Sequence, residues 1–310
     1  TIDTGKMLKE TRWQAKYIAE FFQFYAGCAD KISGATLPID KPDMMTITLR
    51  EPLGVVAAVV PWNSQLFLVA VKIGPALAAG NTVVLKASEH ASAAMLEFGK
   101  LIEAAGFPPG VINIVTGHAD PCGKVLTSHP LVQRISFTGG TGAARHVVRN
   151  SAENFAQVSL ELGGKSPNIV FEDADFEAAV MGAISGIFAA TGQTCIAGSR
   201  LLVQRSIHDD FVKRLVEVAS SAKIGDPMSL ETHIGPVTTQ AQYEKILNYI
   251  TVAQEDGATC VLGGGPYNGK GTKGNRFIEP TIFTNVANHM RIAQEEVFGP
   301  ILSVIPFEDE

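Results

Sequence analysis

Cysteine is scarce in this sequence. Only four of the 310 residues are cysteines, at positions 28, 122, 195 and 260. Thiols so few and so scattered exclude a disulfide scaffold and indicate a reducing, intracellular compartment. We therefore expect a cytoplasmic protein, or one of an organelle matrix if a targeting segment has been removed.

Long apolar runs and clusters of basic charge are also missing. The longest apolar stretch, residues 66–79, is too short to span a bilayer and contains Lys72. The formal net charge is -6 and the basic residues are dispersed, which gives no general attraction to nucleic acid or to an anionic membrane. We therefore expect neither nucleic acid nor a membrane as a partner.

The composition that remains is typical of a globular protein, with 46% hydrophobic and 18% charged residues. A chain of 310 residues is long enough for one large domain or two ordinary ones. It begins at Thr1 without a methionine and ends at Glu310, directly after the strand-like residues 301–305. We expect the chain to be truncated at both ends.

The first fifty residues predict a helix followed by an arm. Residues 8–29 place apolar side chains at the spacing of one buried helical face. The following segment, about residues 33–51, contains Pro38 and Pro42 and ends in the alternating stretch from Met45 to Arg50, which is typical of a half-exposed strand. We predict a β-arm outside the main sheet.

A regular alternation of strands and helices begins after this arm. Four short apolar runs, each followed by a helical stretch, are predicted as strands at residues 54–60, 82–85, 111–115 and 133–137. Strands that are apolar on both sides indicate a parallel sheet covered on both faces, whose ligands lie beyond the carboxyl ends of the strands. The turns at those ends are polar, contain a lysine or are rich in glycine, which suits a phosphorylated cofactor.

A second α/β region is predicted from Gly163 onward. Its predicted elements are a strand at 168–171, a helix from about 176, a strand at 200–204 and a helix to about 222, and residues 256–275 form a glycine-rich surface stretch. The fold class is therefore α/β, with a Rossmann-like cofactor domain over residues 1–162, including the arm at about 33–51, and a second α/β domain over residues 163–310.

Cys195 is the candidate nucleophile. It stands among glycines and small residues in a loop that joins a predicted helix to a predicted strand, where a substrate can approach closely. The alternative is a small buried thiol. No second cysteine forms a Cys-x-x-Cys motif with it, so neither a redox pair nor a metal site is indicated. A nucleophilic thiol needs a base or an electropositive site.

Glu161 is the candidate base, because it ends an apolar strand just before Gly163 and Gly164. A carboxylate withdrawn from water accepts protons more readily; the alternative is a partly solvated carboxylate at a strand end. Residues 138–142 (Thr-Gly-Gly-Thr-Gly) resemble a phosphate-binding turn that leads into a helix, although this turn follows the fourth strand and not the first as in the common dinucleotide fingerprint.

Six motifs occur together in one order. They are Pro61-Trp62-Asn63, Lys86-x-x-Glu89, Phe137-Thr138-Gly139, Glu161-Leu162-Gly163-Gly164-Lys165, Gly192-Gln193-x-Cys195 and Glu295-Glu296-Val297-Phe298-Gly299-Pro300. With these motifs the sequence resembles the aldehyde dehydrogenase superfamily from its first helix to its last strand, in particular the hydrolytic, non-acylating type that uses NAD or NADP.

The resemblance implies a mechanism. Cys195 attacks the aldehyde to form a thiohemiacetal, and Asn63 with the backbone N–H of Cys195 holds the oxyanion. Hydride transfer to the cofactor then leaves a thioester, and Glu161 activates the water that hydrolyses it. The expected cofactor is NAD, with NADP as the alternative, and the expected partner is a small aldehyde. Because the family's arm pairs across subunits, a homodimer or homotetramer is expected.

The resemblance also assigns binding residues. The cofactor residues it implies are Pro61, Trp62, Lys86, Ser88, Glu89, Thr138, Gly139, Gly140, Leu162, Glu296 and Phe298. Lys86 and Glu89 bind the adenosine ribose, the two glycines let the backbone approach the pyrophosphate, and Glu296 holds the nicotinamide ribose. The family commonly has serine where this chain has Gly140, so the phosphate contact is expected to rest on backbone amides.

The substrate pocket is assigned in the same way to Ser64, Leu68, Val71, Ala189, Thr194 and Ile196. Three of these, Ser64, Val71 and Ala189, stand where some relatives carry aromatic rings, which predicts a wide apolar tunnel and a bulky or medium-chain aldehyde. Lys72 lies on an apolar helix, and we predict that its side chain snorkels to water and does not relay protons.

Three other functions stay open. A CoA-acylating semialdehyde dehydrogenase uses the same cysteine, but such enzymes generally lack the glutamate that stands here at Glu161. A cysteine hydrolase needs a histidine partner, and no histidine lies in the six motifs. An inactive structural relative is at odds with the intact Asn63, Glu161 and Cys195.

Overall fold

The computed structural model describes residues 1–269, 272 and 276–309. The predicted glycine-rich stretch at 256–275 therefore lies partly outside the described residues, at positions 270, 271 and 273–275. The chain divides into two compact units: Trp13–Leu162, called here the first unit, and Thr1–Arg12 with Gly163–Glu310, called the second unit.

The predicted helix and arm are both present. Helix α1 spans Leu8–Cys28, and an antiparallel hairpin follows, formed by β1 (Thr36–Leu37) and β2 (Thr46–Ile47). The strand predicted from Met45 to Arg50 is thus shorter than expected: Thr46 and Ile47 pair with the first strand, and the N–H of Thr48 adds one hydrogen bond to the carbonyl of Ala35 at 2.8 Å. Most residues of this arm are exposed.

The first unit is built on a parallel sheet. Its strands are β3 (Val55–Val59), β4 (Thr82–Lys86), β5 (Ile112–Val115), β6 (Val132–Thr138) and β7 (Gln157–Glu161), and they lie in the order β5-β4-β3-β6-β7. Its helices after α1 are α2 (Gln65–Ala78), α3 (Ala93–Ala104), α4 (Lys124–Ser128) and α5 (Thr141–Ser151). The predicted α/β class and parallel sheet are confirmed.

Both faces of this sheet are covered by apolar side chains. On strand β3, Ala58 packs in one cluster with Val69 and Ile73 of α2, whereas its neighbour Ala57 packs in another cluster with Val147 of α5. Adjacent residues of a strand point to opposite faces. The continuous apolar run that predicts this strand is therefore explained by burial on both sides.

The second unit has a mixed sheet. Its elements in chain order are β8 (Pro167–Val170), α6 (Phe176–Phe188), β9 (Arg200–Gln204), α7 (His208–Ser220), α8 (Gln240–Glu255), β10 (Thr259–Leu262), β11 (Thr281–Thr284), α9 (Arg291–Gln294) and β12 (Ile301–Phe307). The strand order is β10-β11-β12-β9-β8, with β10 antiparallel to β11 and the other pairs parallel. Val304 of the central strand β12 is fully buried.

The first twelve residues belong to the second unit, which differs from the domain boundary predicted from the sequence. The backbone N–H of Leu8 donates to the carbonyl of Pro227 at 2.8 Å, and the hydroxyl of Thr238 donates to the carbonyl of Thr4 at 2.8 Å. These partners lie more than 200 positions away, and the local pattern of the sequence carries no trace of them.

Among the described residues, no helix is both long and apolar enough to cross a bilayer. The same residues contain no group of three or more histidine, cysteine, aspartate or glutamate side chains that could hold a metal ion. All four cysteines are free thiols.

Candidate active site

Cys195 lies in the loop that leads from helix α6 to strand β9, and its side chain is half-buried. Helix α6 ends at Phe188, and a short 3₁₀ turn over Ala189–Gly192 follows. Downstream, the N–H of Ala197 donates to the carbonyl of Thr194 at 3.1 Å and that of Gly198 donates to Gly186 at 3.0 Å. The loop around the thiol is therefore fixed on both sides.

The turn before Cys195 has an unusual backbone. Ala190, Thr191 and Gly192 all adopt left-handed conformations, with φ of 51°, 58° and 69°. Such a conformation costs a residue with a Cβ atom about 1–3 kcal/mol. At Gly192 a Cβ atom would also overlap the backbone carbonyl of Gly299, so glycine is required there.

Side chains of this turn tie it to the loop at residues 235–238. The buried hydroxyl of Thr191 donates to the carbonyl of Gly235 at 3.2 Å. The amide of Gln193 donates to the carbonyl of Pro236 at 3.4 Å and accepts from the N–H of Thr238 at 3.0 Å. Gln193 belongs to one of the six motifs, and its observed role is to hold the nucleophile loop.

Charged side chains from the N-terminal segment accompany this loop. Burial lowers the pKa of the Lys6 ammonium, while the negative charges of Glu10 and of the Cys195 thiolate partly offset this effect. Lys6, Glu10 and Cys195 thus lie near one another in the second unit. Of the predicted pocket residues in this region, Ile196 and Ala189 are exposed and Thr194 is half-buried.

Glu296 is held by the double glycine of the fourth motif. The N–H of Gly164 donates to Glu296 Oε1 at 3.3 Å, and a Cβ atom at Gly163 would overlap the carboxylate of Glu296. Lys165 follows, and its buried Nζ has no hydrogen-bond partner among the described residues. Burial lowers the pKa of Lys165 to about 8, helped by the positive charge of Arg200 and opposed by Glu296.

Hydrogen bonds and close packing fix the backbone at Phe298. Its φ is 60°, and the side-chain amide of Gln242 on helix α8 donates to the carbonyl of Val297 at 2.7 Å and to that of Phe298 at 3.0 Å. The next residue, Gly299, has no room for a Cβ atom beside Ile246. Packing and hydrogen bonds together therefore fix the backbone that carries Phe298.

In the first unit, Asn63 lies just beyond the carboxyl end of strand β3, with Pro61 and Trp62 before it and Ser64 at the start of helix α2. The amide of Gln14 on helix α1 donates to the hydroxyl of Ser64 at 3.4 Å. Leu68 and Val71 follow on helix α2 and are half-buried.

Aromatic rings also lie beside these residues. The ring of Tyr17 lies 5.7 Å from that of Phe67 and is stacked on that of Trp13 at 5.4 Å. Rings carried by helix α1 therefore lie beside helix α2, which carries the small pocket residue Val71.

Lys72 is buried and does not snorkel to water, so that prediction is wrong. Its ammonium donates to the hydroxyl of Ser136 on strand β6 at 3.0 Å. Burial lowers the pKa of Lys72 to about 8, and the negative charge of Glu161 partly offsets this. Glu161 ends the edge strand β7 and is exposed, whereas the sequence predicts a carboxylate withdrawn from water.

Lys86 and Glu89 come together at the carboxyl end of strand β4. The buried ammonium of Lys86 lies 3.4 Å from Glu89 Oε2, and the side chain of Glu89 is 30% exposed. Partial burial tends to raise the pKa of Glu89, but its backbone hydrogen bond and the charge of Lys86 outweigh that effect and lower it. Ser88 is buried between them in the chain, and its hydroxyl accepts from the N–H of His90 at 3.2 Å.

The phosphate-type turn joins strand β6 to helix α5. Helix α5 begins at Thr141 after Gly140, with no side chain capping its first amides. A Cβ atom at Gly140 would meet no heavy atom within 4 Å, so this side of the turn is open. The hydroxyl of Thr138 is buried and has no hydrogen-bond partner among the described residues. Free amides at a helix N-terminus suit an anion.

A cavity of about 400 Å³ adjoins this turn. The cavity is lined by residues of helix α5, of strand β7 and of the segment that follows β7. They are Thr141, Ala144, Arg145, Val148, Arg149, Leu160 and Leu162. Apolar walls beside a polar turn fit the adenosine half of a dinucleotide, with its flat base and charged pyrophosphate.

The predicted residues are divided between the two units. The first unit carries Pro61, Trp62, Asn63, Ser64, Leu68, Val71, Lys86, Ser88, Glu89, Thr138, Gly139, Gly140, Glu161 and Leu162; the second carries Ala189, Thr194, Cys195, Ile196, Glu296 and Phe298. The sequence offers no signal for Glu10 or Gln242, because their partners lie at distant positions.

Comparison with known proteins gives one consistent result. A sequence model described as the aldehyde dehydrogenase family matches residues 1–310. The chain is 54% identical to the (Z)-2-((N-methylformamido)methylene)-5-hydroxybutyrolactone dehydrogenase of Acinetobacter baylyi, over 100% of this chain and 63% of that protein.

Solved structures agree with this match. Betaine aldehyde dehydrogenase from Staphylococcus aureus in complex with NAD+ superposes with a TM-score of 0.97 at 42% identity, over 100% of this chain and 61% of that chain. The NAD+ complex of aldehyde dehydrogenase from Bacillus cereus gives a TM-score of 0.95 at 41% identity, over 99% of this chain and 62% of that chain. The chain thus spans about three fifths of the length of these relatives.

Proposed function

Since this chain belongs to the aldehyde dehydrogenase family, we propose that the protein oxidises an aldehyde to a carboxylic acid with NAD as the hydride acceptor. The observation that carries the proposal is the way Cys195 is presented. It stands in a loop fixed by a left-handed turn, by Gln193 and by Gly192. A purely structural thiol needs none of these.

The proposed reaction begins at Cys195. Its thiolate forms a carbon–sulfur bond to the aldehyde carbon, and the carbonyl electron pair moves to the oxygen. We assign the amide N–H of Asn63 and the backbone N–H of Cys195 as donors to that oxyanion. A donor of this kind is worth roughly 10²–10³ in rate.

The residues present in the first unit fit the adenosine and phosphate parts of NAD. Glu89 and Lys86 would bind the adenosine ribose with Ser88 beside them, and the open amides after Gly140 would receive the pyrophosphate. The buried, unpartnered hydroxyl of Thr138 supports a polar ligand at the same turn. In the second unit, Glu296 and Phe298 would hold the nicotinamide half.

The chemistry that a bound NAD supplies is hydride acceptance, which converts the thiohemiacetal on Cys195 into a thioester. We assign the release of the acid to Glu161. Its carboxylate takes a proton from water, and the water oxygen forms the new bond to the acyl carbon while the carbon–sulfur bond breaks. Exposure of Glu161 at the end of an edge strand gives water ready access to it.

We propose that NAD is preferred over NADP. The carboxylate of Glu89 is assigned to the ribose hydroxyls, and it would repel a 2′-phosphate. Lys86, whose buried ammonium donates to the carbonyl of Ala87 at 3.1 Å, brings a positive charge close to the same place and reduces this repulsion. A strict exclusion of NADP is therefore not expected.

The proposed substrate is a bulky or medium-chain apolar aldehyde. Ser64 and Val71 are small, and the rings of Tyr17 on helix α1 and Phe67 on helix α2 offer flat apolar surfaces nearby. Each methylene group of a substrate buried there gains about 0.8 kcal/mol. The Acinetobacter relative is named for a substituted hydroxybutyrolactone, which is also bulky.

We also propose that the protein assembles into a homodimer or homotetramer through the hairpin of β1 and β2. This hairpin exposes apolar side chains at Leu37, Met44 and Ile47, and its strands have unpaired edges. Exposed edges of this kind are usually covered by another chain. Four free thiols favour a reducing compartment such as the cytoplasm.

A single assay separates the proposed activity from its rivals. NADH absorbance is followed with the complete protein, NAD and a panel of acetaldehyde, hexanal, benzaldehyde and succinic semialdehyde, first without and then with CoA. We expect turnover without CoA and the highest kcat/KM for hexanal or benzaldehyde. Turnover that depends on CoA would identify an acylating enzyme, and no NADH from any aldehyde would refute the proposal.

A further inference from the structure

Glu10 reaches the turn that precedes Cys195, from a position 180 residues earlier in the chain. Its Oε1 accepts a hydrogen bond from the backbone N–H of Ala190 at 2.8 Å. Ala190 is the first of the three consecutive left-handed residues of that turn. The carboxylate therefore contacts the backbone at the point where helix α6 gives way to the nucleophile loop.

This turn needs an external partner. Neither Ala190 nor Thr191 is a residue that favours the left-handed conformation, and both would relax toward the helical region if they were released. Gln193 is the first residue after the three left-handed ones, and its N–H donates to the carbonyl of Ala190 at 3.1 Å. A rotation at Ala190 would therefore be passed on to the segment that carries Cys195.

The second oxygen of Glu10 shows that this placement is costly. Glu10 Oε2 is buried and has no hydrogen-bond partner among the described residues. A buried carboxylate is retained at low cost only when a counter-charge is near it. Lys6 lies four residues earlier, before helix α1 begins, and the charge of Glu10 partly offsets the burial that lowers the pKa of the Lys6 ammonium. Lys6 thus supplies a positive charge near the Glu10 carboxylate.

We propose that Glu10 is a positioning residue for Cys195: its carboxylate holds Ala190 in the left-handed conformation and so fixes the direction of the thiol. The inference rests on the proposed function, because it assumes that Cys195 is the nucleophile. It assigns a catalytic purpose to the N-terminal segment, which none of the six motifs includes. Glu10 itself touches neither the substrate nor the cofactor.

The experiment compares two substitutions of Glu10 with one control substitution in the complete protein. Glu10→Ala removes the acceptor, Glu10→Gln keeps an oxygen at the same reach, and Glu20→Ala removes an exposed carboxylate later on helix α1 as the control. The first readout is the rate at which iodoacetamide alkylates Cys195 without NAD or aldehyde, followed by mass spectrometry of the Cys195 peptide. The second is kcat and KM for an aldehyde substrate.

We expect Glu10→Ala to lower the alkylation rate of Cys195 and kcat by roughly tenfold to a hundredfold, the range for a lost hydrogen bond to a charged group. KM should change little, because the contact lies behind the nucleophile. Glu10→Gln should stay within about threefold of the wild type, since a neutral amide oxygen keeps most of the hydrogen bond.

A second substitution removes the ambiguity of a damaged fold. Glycine adopts the left-handed conformation without strain, so Ala190→Gly should make the turn less dependent on Glu10. The double variant Glu10→Ala with Ala190→Gly is expected to recover most of the alkylation rate that Glu10→Ala loses. Equal alkylation rates for Glu10→Ala and Glu20→Ala, or no recovery in the double variant, would overturn the proposal.

The alkylation rate also separates this proposal from the proposed function. If Cys195→Ala kept dehydrogenase activity, the proposed function would fail, whatever the alkylation rates were. If Cys195→Ala were inactive while Glu10→Ala alkylated normally, only the role of Glu10 would fail.

Discussion

Exchanging Gly163 for alanine tests whether Glu296 is a cofactor residue. The added methyl group would overlap both carboxylate oxygens of Glu296, and the side chain must turn away. Its hydrogen bond with the N–H of Gly164, 3.3 Å long, is then lost. Neither glycine has a left-handed backbone, so alanine itself is tolerated at both positions.

The matched control is Gly164→Ala, where a Cβ atom meets nothing within 4 Å. This change should leave the free energy of unfolding equal or raise it by about 0.4–1 kcal/mol through the unfolded state. Gly163→Ala has the same backbone effect and loses a long charged hydrogen bond, so its net cost should be about 1 kcal/mol. Both variants should therefore fold.

The two variants should differ in NAD affinity. A displaced Glu296 loses a hydrogen bond to the ribose worth about 1.5–3 kcal/mol, so Kd for NAD should rise roughly tenfold or more in Gly163→Ala and stay unchanged in Gly164→Ala. Isothermal titration calorimetry measures both. A double variant with Glu296→Ala should bind NAD no more weakly than Glu296→Ala alone. The same Kd in the two glycine variants would refute the reasoning.

Three other substitutions test further parts of the account. The pKa of Lys72 is lowered from 10.5 to about 8. Below pH 8 the burial of the charged ammonium therefore lowers the free energy of unfolding by its full amount, and this loss decreases as the pH rises from 8 to 10.5. Relative to Lys72→Met, the wild type should gain about 3 kcal/mol (2.5 pH units at 1.36 kcal/mol each) in urea unfolding between pH 7 and 10.5, and a constant difference would contradict this. Gly192→Ala should cost about 3 kcal/mol or more in urea unfolding, because φ is 69° and a Cβ atom overlaps the carbonyl of Gly299; the control Gly182→Ala, in open space on helix α6, should not destabilise. Glu89→Gln should raise the NADP-to-NAD ratio of kcat/KM about tenfold, measured with both cofactors, and an unchanged ratio would remove Glu89 from cofactor choice.

Elements with strong local patterns could be predicted from the sequence. The apolar, β-branched runs of strands β3 to β6 are found within two residues of their predicted ends, because burial on both faces leaves a continuous pattern. Strands β10 and β11 were not predicted. Both are only four residues long; β10 (Thr259–Leu262) lies inside the segment predicted as a glycine-rich surface stretch, and β11 (Thr281–Thr284) follows that segment, so their pattern is weak.

Contacts between distant positions could not be predicted. Lys72 looks like a snorkelling lysine on an apolar helix, and its partner Ser136 lies 64 positions away on strand β6. The same holds for the first twelve residues: their contacts with Ala190, Pro227 and Thr238 join positions at least 180 residues apart. The order of the six motifs identifies the family, whereas the side chains that support Cys195 are visible only in the folded chain.

The most direct test of the central claim is a single turnover by Glu161→Gln. The variant is mixed with NAD and the best aldehyde of the panel, NADH is followed on the millisecond scale, and the intact mass of the protein is measured afterwards. We predict one equivalent of NADH per site, slow further turnover, and an added acyl mass located on Cys195 that Cys195→Ala does not show. Full steady-state turnover near neutral pH with no acyl group on Cys195 would contradict the account.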